Sequence, residues 1–192
     1  MRTHRSLRRC RRGLTLTEVL ISGFLMLGIV FVLTQFSRLN NIMWQRGVAD
    51  SSAQKEAQQA VQKIAPFIRK ARRVVTSQSN RVVLQLPTYD VDGNLVIPQT
   101  DGDQVSFYLS DASGDPGQTG KILWRATNGT PDTDWSMSGS KGRVLLDSLT
   151  FTYSPVADPE SVTLNMTASK QVGTSTQQFM TSQEVTLRNK LD

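Results

Sequence analysis

The sequence predicts an α+β fold: a long N-terminal α-helix, transmembrane in its first half, packed on an antiparallel β-sheet head. Three observations carry that prediction. Residues 14–36 are apolar or small apart from one charge, Glu18. From 37 to about 75 the apolar residues recur at helical spacing. Beyond 76 the period falls to two, in short β-branched stretches separated by Gly, Asp, Ser and Pro. The chain therefore divides into a basic leader (1–13), a membrane-crossing half-helix (14–36), an amphipathic half-helix (37–75) and a β-rich head (76–192).

As a helix, the apolar run is about 35 Å long at ~1.5 Å per residue, enough to cross a bilayer. It continues into Gln35-Phe36-Ser37-Arg38 without a small-residue cleavage pattern, so it reads as an anchor and not as a secretory signal. Six arginines precede it (Arg2, Arg5, Arg8, Arg9, Arg11, Arg12), which predicts a cytoplasmic N-terminus and an external head. Cys10 precedes the apolar run and is not placed for lipidation. A carboxylate such as Glu18 is unfavourable near a membrane helix start. Thr15-x-x-Glu18 has capping-box spacing, which offers the carboxylate a local partner.

In the second half-helix Leu39, Ile42/Met43, Ala49, Ala53, Ala57, Ala60/Val61, Ile64, Phe67/Ile68, Ala71 and Val74 form one stripe. The portion nearer the membrane is rich in small apolar residues and glutamine, which suits packing among like helices better than burial in a thick core. Pro66 interrupts the pattern, and a kink or restart is expected there. In the head, strands are expected at Arg81–Leu86, Gln104–Leu109, Lys121–Arg125, Val144–Tyr153, Ser161–Ala168 and Gln177–Leu187. Asp92-Gly93-Asn94 should turn a hairpin into Leu95–Pro98. The longest loops fall at 111–120 and 127–142.

The formal charge of +6 suggests nucleic acid at first sight. Removing the six leader arginines leaves 16 basic against 16 acidic residues, so the remainder is formally neutral. Residues 14–75 carry eight basic and three acidic side chains, and 76–192 carry eight and thirteen, so helix and head can attract each other. The one basic cluster of note, Arg69, Lys70, Arg72 and Arg73, lacks interleaved aromatics beyond Phe67 and reads as a solvated helix face before a DNA contact.

Enzyme chemistry has little to stand on. The only Cys (Cys10) and the only His (His4) lie in the leader, so thiol, triad and zinc chemistry are not expected beyond it. Nor is a disulfide. Ser138-x-Ser140-Lys141 sits in a Gly-Ser loop and reads as loop composition. Calcium is the one cofactor that the residues suggest, at Asp90, Asp92 and Asn94, but the spacing is not that of an EF-hand and Asp-Gly turns explain the residues. Trp124 is expected in the core by alternation, and Trp135, in a polar loop, is a candidate for a partner contact.

The junction Arg12-Gly13-Leu14-Thr15-Leu16-Thr17-Glu18, with its basic leader and apolar run, resembles the class III signal of type IV prepilins and pseudopilins. The resemblance implies a type IV pilin-like fold, cleavage between Gly13 and Leu14 by a prepilin peptidase, and N-methylation of Leu14. It implies that Glu18, fifth in the mature chain, pairs with the α-amine of Leu14 on a neighbouring subunit. The partners implied are other pilins or pseudopilins and an inner-membrane assembly platform. The implied location is the bacterial inner membrane, followed by a filament. Leu14 stands where most members have phenylalanine, Thr17 where an aliphatic residue is usual, and the anchor lacks the proline of many major pilins. These departures lean towards a minor component.

The order of elements in the head resembles J-type minor pseudopilins of type II secretion and PilW-type minor pilins. Val105-Ser106-Phe107-Tyr108-Leu109, Leu123-Trp124-Arg125, Leu149-Thr150-Phe151-Thr152-Tyr153 and Val185-Thr186-Leu187-Arg188-Asn189 carry that likeness. The implied function is a subunit of a secretion pseudopilus or pilus-like filament, at its tip or in its initiation. Two alternatives stay open: a DNA-uptake module using Arg69 to Arg73, and a signal-anchored envelope protein without a filament role.

Overall fold

The computed structural model describes residues 15–97, 100–137, 144–173 and 175–188. The Gly13–Leu14 junction, Pro98 and the Ser138-x-Ser140-Lys141 motif lie outside the described residues. The chain forms two compact units, one up to Trp44 and one from Gln45 onwards. Helix α1 (Leu16–Lys70) supplies the described part of the first unit and opens the second. In the first unit every described residue is exposed, and the helix contains a segment long and apolar enough to cross a membrane. Among the described residues it is the one candidate span, which agrees with the single-pass anchor expected.

Pro66 lies inside α1, which continues to Lys70 with no restart. Pro66 is exposed, so the missing N–H towards the Gln62 carbonyl and the ring's crowding of that carbonyl fall on the side away from the core. Arg69 and Lys70 occupy the last turn, where cations complement the helix dipole. The helix thus ends short of Val75. The Ala71 N–H is shared between the carbonyls of Phe67 (2.9 Å) and Ile68 (3.1 Å), and the Arg72 N–H already donates to the Gln85 carbonyl at 2.8 Å. Strand β1 (Arg73–Ser77) follows. Val74, Val75 and Thr76 are β-branched, and a waiting strand partner overrides the helical spacing they share with α1.

β2 (Arg81–Pro87), β3 (Asp101–Ser110), β4 (Ile122–Thr127) and the two-residue β5 (Thr130–Pro131) complete an antiparallel sheet of order β1-β2-β3-β4-β5. β6 (Ser148–Ser154), β7 (Ser161–Val172) and β8 (Ser175–Thr186) form a second, in the order β6-β7-β8. The antiparallel sheet expected of the head is therefore present as two. Residues 144–147 join them and are not the start of a long strand: the Leu146 N–H donates to Lys121 O and the Asp147 N–H to Thr167 O, both at 2.8 Å.

The second arm of the 92–94 hairpin shrinks to a Tyr89–Leu95 bridge. The region expected as a bare loop after 127 contains β5 and a short helix, α2 (Thr133–Met137). Asp132 caps α2, its carboxylate accepting the Trp135 N–H at 2.9 Å.

One face of each sheet meets α1. Val82, Leu84, Val105, Phe107 and Leu123 from the first sheet join Phe151, Val162, Leu164, Met166 and Ala168 from the second around Ala53, Ala57, Ala60, Ile64 and Ile68. The alanine stripe is therefore part of the head's own core. Small side chains let both sheets approach the helix closely, a role that the low hydrophobicity of the stripe concealed. Tyr108, Trp124 and Ala126 form a separate cluster, as period-two alternation requires of residues adjacent to Phe107 and Leu123. The 111–120 loop holds this cluster: Tyr108 OH donates to Gly114 O (2.7 Å) and Trp124 Nε1 to Asp111 O (2.8 Å).

Candidate functional site

The start of α1 is a closed capping box. The Thr15 N–H donates to Glu18 Oε2 at 2.9 Å, and the Glu18 N–H reaches Thr15 Oγ1 at 3.4 Å. The Thr15 hydroxyl adds a bond to Glu18 Oε2 at 3.1 Å. Among the described residues no cation forms an ion pair with this carboxylate. Further along, Ser22 and Thr34 turn their hydroxyls onto the carbonyls of Val19 (3.0 Å) and Phe31 (2.7 Å), which reduces the polarity of the outer surface.

A shallow groove of about 620 Å³ runs along this surface past Ile21, Phe24, Gly28 and Val32. A Cβ placed on Gly23 or Gly28 would meet nothing within 4 Å. Glycine inside a helix costs about 1 kcal/mol relative to alanine, and no atom near these two positions excludes a side chain. The sequence reading passed over them, although a glycine within a membrane run is itself a signal of close helix approach.

The other candidates from sequence fall in different surroundings. Asp90 closes the 90–94 turn, its Oδ1 accepting the N–H groups of Asp92 (3.0 Å) and Asn94 (2.8 Å), while Gly93 takes a positive φ of 81°. Among the described residues no group of three or more His, Cys, Asp or Glu could hold a metal. The basic cluster is not one helix face. Arg69 and Lys70 end α1, whereas Arg72 and Arg73 lie past it, and both pair with Asp101, at 2.8 and 2.7 Å. That one carboxylate is shared by the two arginines beyond the helix.

Trp135 is half-buried and packs in the head, at 5.4 Å from the Phe107 ring. The Lys63 ammonium lies 4.9 Å from its centroid and donates to its carbonyl at 3.3 Å. Arg125, paired with Asp132, lies 5.4 Å from the rings of both Phe67 and Trp135. Burial pushes the Lys63 ammonium and the Arg125 guanidinium below their usual pKa ranges. The cluster clamps α2 onto α1 and β4, so Trp135 packs within the head.

No known protein family, curated protein or solved structure matches the chain. The architecture is pilin-like all the same: an N-terminal apolar helix followed by an antiparallel β head. It rests on the elements themselves.

Proposed function

We propose that the chain is a minor pilin or pseudopilin, a membrane-anchored subunit drawn into a filament. The single observation that carries the reading is a carboxylate, Glu18, in the first turn of an apolar helix whose every described residue up to Val48 is exposed. Such a surface calls for lipid or for other helices, and such a carboxylate calls for a cation. A neighbouring copy of the same kind of segment offers both, through its apolar face and its cleaved α-amine. On this reading a prepilin peptidase cuts between Gly13 and Leu14, Leu14 is methylated, and Glu18 sets the axial register by pairing with an incoming amine. Gly23 and Gly28 let neighbouring helices approach closely. The head, where Asp101 pairs with Arg72 and Arg73 of its basic cluster, acts through protein contacts at the tip or in initiation.

Crosslinking in native cells followed by mass spectrometry tests the reading. A chain that begins at methylated Leu14 and is joined to other pilin-like subunits supports it. The identity of those subunits assigns a secretion pseudopilus or a pilus. An uncut chain with no such partners overturns it.

A further inference from the structure

We infer that the outer edge of β8 is a pairing surface for a second copy of this chain, joined strand to strand across a two-fold axis. The argument begins with how the head treats its sheet edges. An unpaired edge exposes N–H and C=O groups to any extended segment, and folded proteins blunt it by shortness, proline, charge, bulges or cover. β5 has two residues and ends in Pro131. β1 has five, begins at Arg73, and its register slips between Val74 and Thr76. The edge of β6 is covered, since the Phe151 N–H donates to Ser79 O and Tyr153 OH to Gln78 O, both at 2.8 Å.

β8 has none of these devices. It is 12 residues long, pairs with β7 in unbroken register, and contains no proline, no glycine and a single charge, Glu184. Among the described residues nothing pairs with its outer edge. On its inward side, Thr181 and Gln183 border a groove of about 510 Å³ whose opposite wall is Gln62, Ala65, Pro66 and Arg69 of α1. The edge is thus open in depth as well as along its length.

The strand's own sequence suits a second copy as the occupant. Met180, near its midpoint, is 70 % exposed. A two-fold axis through Met180 sets Met180 against Met180, Gln178 against Ser182 and Thr176 against Glu184 on the outward face. On the inward face it sets Phe179 against Thr181 and Gln177 against Gln183. Residues 175–185 all find a partner, and Glu184 meets Thr176 instead of its own copy, so no like charges oppose. Such an isologous contact closes on itself. It forms about ten main-chain hydrogen bonds, as many as a typical interface holds.

The test uses the full chain in detergent micelles with Cys10 replaced by serine. Oxidation of Met180→Cys is expected to give a disulfide-linked dimer roughly tenfold in excess of that from Gln178→Cys, because only residues facing their own copy reach disulfide distance. Gln178→Cys and Ser182→Cys are expected to link to each other when mixed. Native mass measurement should find a dimer for the unaltered chain and a monomer for Met180→Lys, which places two ammonium groups in direct opposition. A mixture of Met180→Lys with Met180→Glu should restore the dimer. Because Met180 is exposed, these variants leave the fold intact. A monomeric unaltered chain, or a dimer indifferent to Met180→Lys, would overturn the proposal. Preferential linkage from Met180→Cys in cells to a different protein would do so too. Failure to find cleavage at Gly13 bears on the filament reading alone and leaves these outcomes readable.

Discussion

At Glu18 two roles share one side chain, and chemistry separates them. The capping box needs a hydrogen-bond acceptor at the third helical position, which glutamine supplies as well as glutamate. Pairing with an amine needs the charge. Glu18→Gln should therefore keep the helix start and lose filament incorporation by about tenfold or more, the factor that ~1.4 kcal/mol commands. Glu18→Ala should lose both. Quantifying the subunit in sheared filaments against its level in the membrane reads the difference. Normal incorporation of Glu18→Gln would reduce the carboxylate to a cap. Gly114 makes a second residue-scale case, with a φ of 77° and a Cβ position 2.9 Å from the Trp124 ring. Gly114→Ala combines left-handed backbone strain with a steric clash, and urea unfolding should show a loss of about 1–3 kcal/mol.

Among the elements, those with a clean period were legible in sequence: the membrane run, the alanine stripe, and the strands β2, β3, β4, β7 and β8 were all anticipated within a few residues. Where local propensity and tertiary pairing compete, the pattern fails. Val74 continues the helical stripe but pairs with Leu84 in a sheet, and only the position of β2 decides this. Asp132 and Trp135 look like loop residues until Arg125 and Lys63 close around them. The segment joining the sheets is held by Asp147, which accepts from Lys121 Nζ at 2.5 Å. The ammonium holds the Asp147 carboxyl below its usual range, with Ser169 a lesser influence that completes no hydrogen bond to the buried Oδ2. A carboxyl whose folded pKa is depressed stabilises the fold above its unfolded value, about 3.9, and that stability is lost as pH falls through the lower folded value. Asp147→Asn should therefore destabilise the head at pH 7 and approach the unaltered chain as pH falls below about 3.9. Lys121 is well exposed, so the difference should stay under ~1 kcal/mol in denaturant titrations run across that range.

On the scale of the whole molecule, hydrophobic burial is confined to one side of a boundary in the sequence. Core membership begins at Ala49 and Ala53 and runs to Val185 and Leu187, whereas every described residue from Thr15 to Val48 is exposed. The candidate site lies on the exposed side. Its capping box was legible in sequence because Thr15 and Glu18 are local neighbours on one helix turn. On the function proposed above its partners belong to other chains, and a single sequence carries only the surface offered to them. Burial is the dominant source of fold stability, so an exposed helix contributes almost nothing to the head's unfolding free energy. Removing residues 1–44 should then yield a soluble chain whose thermal midpoint lies within about 3 °C of the full chain's in micelles, a shift worth less than ~1 kcal/mol for a domain of this size. Calorimetry of both chains measures it. A drop well beyond that would mean the exposed half-helix supports the head, and that Glu18 and the groove beside Gly28 serve stability within one chain before any contact with a neighbour.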